Sequence, residues 1–498
     1  MHSFWNSGDQ VLDGWLAQLC MMLALGCQTA PDFIFHGTAR SASEWTETLL
    51  DMAQLSFSRS AYMLMPNLTT IRTLCMMVTA KMLELVKGSS ADQAVFLMGF
   101  VTRLAMTMQL HRTTTLFPAM PAFEAEMRRR VWVTVQLLDL DVAIRSGTSF
   151  ICREQDAEPP LNINETDFRR SEHGAWIVDS LWAGPQEYTD GMFQVKLADF
   201  IPLLAEVVGT VNSPTKPVVA YERVLAWDSQ IRRKLRDAGA VFSLPPGAGS
   251  RNRPDRVRRA TLQLQFLQVL GHRARLALHH AYARVPHVDR FEKSYGAIMD
   301  SSLALLRMQE MWTGMAAAAA DGSSDGSRAS SPSSGSTDDA AAGYGYGGWL
   351  VDLCHDDFNT AMLYIILALR RNEFGGGTGI GSGSSRSQAQ DDPTGRERAL
   401  EALRRGMNTT RERACRSLAH FKEFLGLSVL VSCLQCLGRP ETVLPTLMRA
   451  ADTVEQTVLA GKQDVASWME TGSGLFPEAG LHLDAIMEMD PGMFNSFT

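Results

Sequence analysis

A surplus of positive charge, long apolar runs and clustered cysteines are all missing from this chain of 498 residues. The formal net charge of -7 argues against a protein that binds phosphates over a broad basic face. The apolar runs at residues 19–27 and 361–369 are much shorter than the ~20 residues that cross a bilayer. The eight cysteines are spread along the chain, which indicates buried thiols in a reducing compartment and no disulfide framework.

Motifs for catalysis or phosphate binding are also missing. The glycine-rich stretch 374–385 contains no phosphate-loop pattern, and no nucleophile elbow, zinc-protease motif or EF-hand loop occurs. Asp352, His355 and Asp356 stand at i, i+3 and i+4, so one helical face could present them as ligands, as acid-base groups or as a solvated polar face. No partner of metal-site spacing lies nearby. We therefore predict no catalytic residue, no metal site and no enzymatic activity.

Apolar residues recur at helical intervals through most of the chain, whereas alternating strand patterns are scarce. The sequence therefore predicts an all-α fold, a large multi-helix domain interrupted by disordered Gly- and Ser-rich insertions. The predicted organisation is a main helical part at 1–315, a disordered insertion at 316–348, a helix of the same domain at 349–374, a second disordered insertion at 375–396, C-terminal helices at 397–473 and a tail at 474–498.

Two further patterns allow more than one interpretation. Acidic and apolar residues alternate in the tail at 474–498, which is typical of an activation segment that binds a coactivator and equally of a frayed amphipathic helix. The basic segments 231–239 and 251–259 could attract phosphates or serve as nuclear-import signals. Because aromatic residues are not interleaved with these charges, a solvated helix face and loop is the favoured interpretation.

The stretch 123–147 places three consecutive arginines beside an apolar run. If this stretch is helical, three i, i+4 pairs stand in the favourable order: Glu124 with Arg128, Glu126 with Arg130, and Asp141 with Arg145. Exposed pairs of this kind contribute only ~0.3 to 0.5 kcal/mol each, so surface pairing explains little of this charge. Partly buried arginines that bind carboxylates or helix-end carbonyls would instead fix how helices cross. We predict that the triplet braces the fold and does not bind DNA.

Around this stretch the sequence resembles the fungal-specific transcription factor domain, an all-helical regulatory region, most densely at 66–167. The shared pattern begins with a Leu-His-Arg element and a Glu-rich segment. The Arg triplet, a Trp, a later Asp and a Gly follow, and a sequence of the Pro-Leu-Asn type ends the pattern. The matching residues, which form the predicted structural family motif, are Arg103, His111, Arg112, Glu124, Glu126, Arg128, Arg129, Arg130, Trp132, Asp139, Gly147, Pro160, Asn162, Asn164 and Asp167. Gln109 departs from the pattern, because it stands where the family usually has Gly.

The resemblance implies a nuclear transcription regulator of a fungal metabolic or secondary-metabolite gene set. It also implies homo- or heterodimers and a coactivator that binds the tail. Regulators of this kind usually carry an N-terminal zinc cluster of closely spaced cysteines, which Cys20 and Cys27 alone cannot supply. We therefore expect no cofactor in this chain, with zinc and direct DNA contact only through a missing upstream module. The alternative is a stand-alone interaction module that modulates a full-length zinc-cluster regulator without binding DNA.

Overall fold

The computed structural model describes most of the chain before residue 436. The described residues are 12–29, 40–83, 91–153, 155–171, 176–178, 184, 187–213, 215, 219–243, 253–283, 292–321, 345–370, 393–414 and 418–435. The predicted activation tail at 474–498 and most of both predicted insertions lie outside them. By its Cα packing the chain divides into two compact units, the first comprising Met1–Ser301 and Met311–His355 and the second Ser302–Glu310 and Asp356–Thr498.

The described residues are overwhelmingly α-helical, which confirms the predicted all-α fold. The helices are α1 (Asp13–Thr29), α2 (Ala42–Arg59), α3 (Leu68–Met82), α4 (Ala91–Thr107), α5 (Ala122–Ser146), α6 (Met192–Val211), α7 (Tyr221–Phe242), α8 (Arg253–Ala283), α9 (Glu292–Asp321), α10 (Gly345–Leu353), α11 (His355–Arg370), α12 (Pro393–Arg413) and α13 (Leu418–Gln435). Short 3-10 turns cover Thr114–Leu116 and Glu165–Asp167. In the part of the chain described here, no helix is both long and apolar enough to span a bilayer.

Local sequence signals explain where several helices of the first unit begin. Both α2 and α3 start with a reciprocal capping box, formed by Ser41 with Glu44 and by Asn67 with Thr70. In the first box the Ser41 backbone N–H donates to Glu44 Oε2 at 2.7 Å, and the Glu44 N–H donates back to Ser41 Oγ at 3.3 Å. Each box satisfies two backbone donors that a helix start otherwise leaves open, so these helices have fixed first turns.

The core of the first unit surrounds α5 and α8. α5 packs against α3, α4 and α6, and α8 packs against α6 and α7. Trp132 on α5 and Trp312 on α9 are among the largest fully buried side chains. The indole N–H of Trp312 donates to Gln265 Oε1 on α8 at 2.6 Å, so this polar atom is satisfied inside the core. α1 forms its own apolar contact with α2 and also packs on α3 and α10.

A small antiparallel hairpin, β1 (Phe168–Arg170) and β2 (Trp176–Val178), follows the loop after α5. Phe168 pairs with Val178 and Arg170 pairs with Trp176. The Phe123 ring on α5 stacks on Trp176 with ring centroids 5.2 Å apart. The hairpin is therefore attached to the first turn of α5 through aromatic contacts.

The second unit contains α11, α12, α13 and residues 302–310 of α9. Arg405 on α12 forms ion pairs with Glu401 at 2.9 Å and with Glu310 at 2.5 Å. A Cβ atom placed on Gly406 would lie 2.7 Å from the sulfur of Met362, so a larger residue there would require the Met362 side chain to shift. Cys433 on α13 is exposed, unlike the buried thiols that the sequence analysis expected.

The helices extend further into the first predicted insertion than expected. α9 continues to Asp321 through a run of alanines, and α10 begins at Gly345. Alanine has the highest helix propensity, which explains the extension at the amino end of this segment.

The predicted helix at 349–374 is divided, because α10 ends at Leu353 and α11 begins at His355. His355 Nδ1 lies 2.8 Å from the Asp352 carbonyl oxygen, so its imidazole caps the end of α10 at the break.

Candidate functional site

Glu126 is the centre of the contacts made by the arginine triplet. It is fully buried on α5, one helical turn before Arg130. Its carboxylate accepts hydrogen bonds from Arg130 Nε at 2.8 Å and from Arg129 NH1 at 3.4 Å. It also accepts the backbone N–H of Leu161, whose nitrogen lies 3.1 and 3.2 Å from the two carboxylate oxygens. A buried carboxylate without donors is strongly destabilising, so these contacts tie the loop after α5 to the helix.

Arg129 extends these contacts to the segment before α5. Its NH2 donates to Thr114 Oγ1 at 2.9 Å, and its Nε lies 3.6 Å from the carboxylate of Glu158. Glu158 also accepts the backbone N–H of Thr114 at 3.0 Å. Although burial raises the pKa of Glu158, hydrogen bonds from Thr113 and Thr114 lower that pKa to about 2. Four residues constitute what we call the triplet cluster: Glu126, Arg129, Arg130 and Glu158.

Arg128, the first arginine of the triplet, does not form the predicted pair with Glu124. Its guanidinium donates to the backbone carbonyl of Met108 and lies over the Phe117 ring, 5.6 Å from the ring centroid. Glu124 is exposed. The carbonyl and the aromatic face compete successfully with a solvated carboxylate, because an exposed pair gains little free energy.

Trp132 and Asp139 anchor the middle of α5 to the loop that follows it. The Trp132 indole N–H donates to Gln155 Oε1 at 2.5 Å, and its ring lies 6.0 Å from the ring of His111. Asp139 accepts the backbone N–H groups of Ile151 at 2.8 Å and Cys152 at 2.9 Å. Burial raises the pKa of Asp139, while these two backbone donors act in the opposite direction. The indole of Trp132 and the carboxylate of Asp139 therefore both receive their partners from the loop that follows α5.

The sequence of the Pro-Leu-Asn type that ends the family pattern lies where the chain approaches α6. Pro160 is buried. Asn162 Oδ1 accepts the Thr189 hydroxyl at 2.6 Å, and Asn162 Nδ2 donates to the carbonyls of Gly184 and Glu187, both at 3.0 Å. Asn164 donates its backbone N–H to Asp167 Oδ2 at 2.7 Å and completes a capping box. A Cβ atom on Gly191 would lie 2.8 Å from the Leu161 carbonyl oxygen, so only glycine allows this close approach.

The remaining motif residues occupy the surface or a helix end. Arg103 is exposed on α4. Arg112 pairs with Asp156 at 3.0 Å, and both side chains are more than two-fifths exposed. Gly147 follows α5 with a φ of 66°, the left-handed conformation that commonly ends a helix. The structure thus brings most of the predicted motif together around α5 and leaves Arg103, Arg112 and Glu124 at its edge.

A second set of buried charges surrounds α8, and the sequence analysis did not predict it. Asp228 on α7 binds Arg275 Nε on α8 at 2.6 Å, and both side chains are almost fully buried. Arg232 reaches the other oxygen of Asp228 at 2.8 Å from a half-exposed position. Although burial opposes ionisation, hydrogen bonds from His279 and Arg275 lower the pKa of Asp228 to about 2. Arg275 NH1 also donates to Ser301 on α9 at 3.0 Å, so one guanidinium joins three helices.

The same helix carries a second buried ion pair on another side. Arg273 binds Asp141 of α5, and Asp141 also accepts from Arg145 Nε at 3.2 Å. This contact confirms the geometry of the predicted Asp141–Arg145 pair, and Arg273 is its unpredicted third member. Arg145 further donates to the backbone carbonyl of Leu353, at the end of α10. Five residues are called the α8 cluster below: Asp141, Asp228, Arg273, Arg275 and His279.

His279 is fully buried, whereas the adjacent His280 is partly exposed. Its Nδ1 lies 2.9 Å from Ser294 Oγ, and its Nε2 lies 3.4 Å from Asp228. Ser294 Oγ in turn lies 3.0 Å from the Tyr221 hydroxyl. The order of Asp, His and Ser resembles a hydrolase triad, but Ser294 and His279 are completely inaccessible to water. A nucleophile needs access to a substrate, so this arrangement supports packing and not acyl transfer.

Only weak sequence signals pointed to the α8 cluster. The stretch 270–282 contains two arginines and three histidines within an apolar helical pattern. This unusual mixture is the local sequence signal for the α8 cluster. Asp228 is 47 residues from Arg275, and Asp141 is 132 residues from Arg273. Spacing rules for helices cannot detect partners at such separations.

The basic segments are partly committed to contacts within the first unit. Lys234 pairs with Asp199 at 2.7 Å, and Arg259 pairs with Asp190 at 3.1 Å. Arg256 donates to the Tyr188 carbonyl and lies over the Tyr188 ring. These contacts favour a helix face, as the sequence analysis preferred, over a phosphate-binding surface, although several of its charges are paired.

Asp352 and His355 do not lie on the same helix. Asp352 belongs to α10, whereas His355 begins α11. The predicted face therefore does not form, because the helix breaks at Cys354.

The fold and contacts define a non-repetitive all-helical domain in which the described motif charges pack helices and loops against each other. Residues 4–188 match the model of the family described as fungal specific transcription factor domain. This is the family that the sequence resembles, and the match covers less than half of the chain. The match includes α1 to α5 and the whole segment that contains the arginine triplet.

Several curated fungal proteins are similar to this chain. "Transcription factor opdR" of Penicillium oxalicum is 26% identical over 306 residues, which are 61% of this chain and 37% of that protein. "Zn(2)-C6 fungal-type transcription factor pigI" of Monascus ruber is 25% identical over 49% of this chain and 29% of its own length. "Pyrrolocin cluster transcription factor fsdR" of Fungal sp. (strain NRRL 50135) is 22% identical over 43% of this chain and 27% of its own length.

The aligned part therefore spans about a third of the length of these relatives. No solved structure matches the chain.

Proposed function

We propose that the chain regulates transcription of a secondary-metabolite gene cluster in a filamentous fungus. The observation that carries this proposal is the match of residues 4–188 to the fungal specific transcription factor domain. The names of the relatives support it, because they are called transcription factors and one is named for a biosynthetic cluster. The braced helical core supports a scaffold role, since its charges are committed to packing.

In this proposal the chain acts in the nucleus as a helical regulatory domain and not as an enzyme. It forms homo- or heterodimers with other fungal regulators, and its tail at 474–498 binds a coactivator. Acidic and apolar residues alternate in that tail, so charge keeps it soluble while Leu483 and Ile486 bind the partner. Zinc and direct DNA contact enter only through a cysteine cluster outside this sequence.

Deletion of the gene followed by transcript profiling of all biosynthetic clusters tests the proposal. We expect the transcripts of one contiguous cluster to change about tenfold or more and to recover when the full chain is restored. Restoration with Leu483→Ser and Ile486→Ser together should fail, whereas the matched control His482→Ser should succeed. If no cluster changes after deletion, the proposed function is wrong.

The alternative function is an interaction module that modulates a full-length zinc-cluster regulator. Its support is that the basic segments 231–239 and 251–259 are partly committed to ion pairs within the first unit. Coprecipitation with such a regulator and a duplex-DNA binding assay at physiological salt distinguish the two functions. Stable hetero-association without DNA affinity supports the module, and DNA binding by the isolated chain excludes it.

A further inference from the structure

α10 depends on other helices for its stability. It has nine residues, and isolated helices shorter than ~12 to 15 residues are marginal in water. Leu350 and Val351 are buried at 7% and 3% exposure, and the main packing partner of α10 is α1. The helix is therefore maintained by apolar contacts with the first unit and not by its own hydrogen bonds.

A charged side chain fastens the end of this helix. Arg145 of α5 donates to the Leu353 carbonyl, one of the carbonyls that a helix end leaves without an internal donor. Arg145 is oriented by Asp141, which lies 3.2 Å away and also binds Arg273. Attachment of α10 is thus linked to the α8 cluster through one guanidinium.

A buried indole nitrogen opposes attachment of α10. The indole nitrogen of Trp349 is buried and has no hydrogen-bond acceptor among the described residues. In the attached state this donor loses its hydrogen bond to water, and none of the described residues replaces it. Opening of α10 would restore that hydrogen bond, so Trp349 favours release while Arg145 favours attachment.

We propose that α10 is a detachable strap across α1 and the end of α5. The helix detaches while α5 and α8 stay folded, and the hydrogen bond from Arg145 to the Leu353 carbonyl holds it in place. Proteins open locally in cooperative units drawn from their less stable parts, and a short helix that depends on its neighbours is such a part. When the strap opens, the surface of α1 beneath α10 becomes accessible.

Hydrogen exchange of the full chain, followed by mass spectrometry, tests the strap. In the wild type the α10 amides should exchange at least about tenfold faster than those of α5 and α8. Arg145→Gln should accelerate α10 about tenfold further, as expected for loss of a charge-assisted hydrogen bond. The control Arg232→Gln removes the same charge at a half-exposed position and should leave α10 unchanged.

Trp349→Phe provides a test in the opposite direction. It retains an aromatic ring and removes the unsatisfied N–H, so α10 exchange should become several-fold slower. This outcome does not depend on whether Arg145→Gln weakens the whole unit. Wild-type exchange of α10 at the same rate as α5 and α8, or faster exchange in Trp349→Phe, would overturn the proposal.

Discussion

The triplet cluster and the α8 cluster brace the same unit in different ways. In the triplet cluster, Glu126 and its arginines belong to one helix, and the other partners are loop residues. Arg129 and Glu158 keep side-chain exposures of 16% and 32%. In the α8 cluster the partners come from different helices, and Asp228 and Arg275 are only 5% and 6% exposed. Local pairs therefore position loops, whereas distant buried pairs determine which helices meet.

Burial decides how much each cluster contributes when it is broken. An uncompensated charge in the interior cannot regain water, whereas a partly exposed charge can. We therefore expect the two clusters to differ more in the cost of removing one partner than in the number of their hydrogen bonds. Substitutions matched for charge can test this difference directly.

The largest effect is expected for Arg275→Met. Methionine retains much of the volume but leaves Asp228 buried beside only one half-exposed arginine and His279. Loss of a buried partner should lower the free energy of unfolding by about 3 to 5 kcal/mol in urea denaturation. Arg232→Met removes the exposed partner of the same carboxylate and should cost about 1 kcal/mol or less. Equal losses in the two variants would contradict the ranking by burial.

A pH dependence should distinguish the α8 region from the triplet cluster. Burial, followed by the charge of Arg275, lowers the pKa of His272 from its ordinary 6.5 to about 4. Because the folded pKa lies below the unfolded one, the unfolded chain binds more protons between these values. The stabilisation is complete above pH 6.5 and disappears as the pH falls towards 4.

This titration can be isolated by replacing the histidine. The wild type should lose about 2 to 3 kcal/mol of unfolding free energy across that window beyond the loss seen in His272→Gln. The carboxyl groups of Asp228 and Glu158, whose pKa values are lowered to about 2, should contribute mainly below pH 4. Parallel pH profiles for the wild type and His272→Gln would show that this imidazole does not titrate with folding.

In the triplet cluster, Arg130→Ala should lower the free energy of unfolding by about 2 kcal/mol. The substitution leaves fully buried Glu126 with weaker donors, but Arg129 and the Leu161 N–H remain. Arg112→Ala breaks an exposed pair of similar length and should cost less than about 1 kcal/mol. A drop in DNA affinity without any change in stability would refute the bracing role of the triplet.

The sequence predicted those parts of the fold and site that depend on neighbours along the chain. Glu126 with Arg130 and Asp141 with Arg145 lie one helical turn apart, so spacing alone brought them together. The partners of Glu126 in the loop, and the pair of Asp228 with Arg275, depend on how helices pack in three dimensions. Glu124 shows the opposite case, because correct spacing did not overcome the competing contacts of Arg128.

The smallest effect is expected at Gln109, and it should be a gain. Gln109 has a φ of 59°, a left-handed conformation, and it stands where the family pattern usually has glycine. This conformation costs a residue with a Cβ atom about 1 to 2 kcal/mol, whereas glycine loses about 0.5 to 1 kcal/mol through its greater unfolded-state entropy. Gln109→Gly should therefore raise the free energy of unfolding by up to about 1 kcal/mol in urea denaturation.

The matched control for that prediction is Gln109→Ala, which removes the same polar side chain but retains the Cβ atom. If backbone strain is the cause, alanine should give no gain, because the steric conflict at positive φ persists. A gain in both variants would instead assign the effect to loss of the glutamine side chain. The contrast with Gly147, which already has glycine at a φ of 66° at the end of α5, sharpens this test. There Gly147→Ala should be destabilising by about 1 kcal/mol, because it adds at one turn the Cβ atom that Gln109→Gly removes at the other.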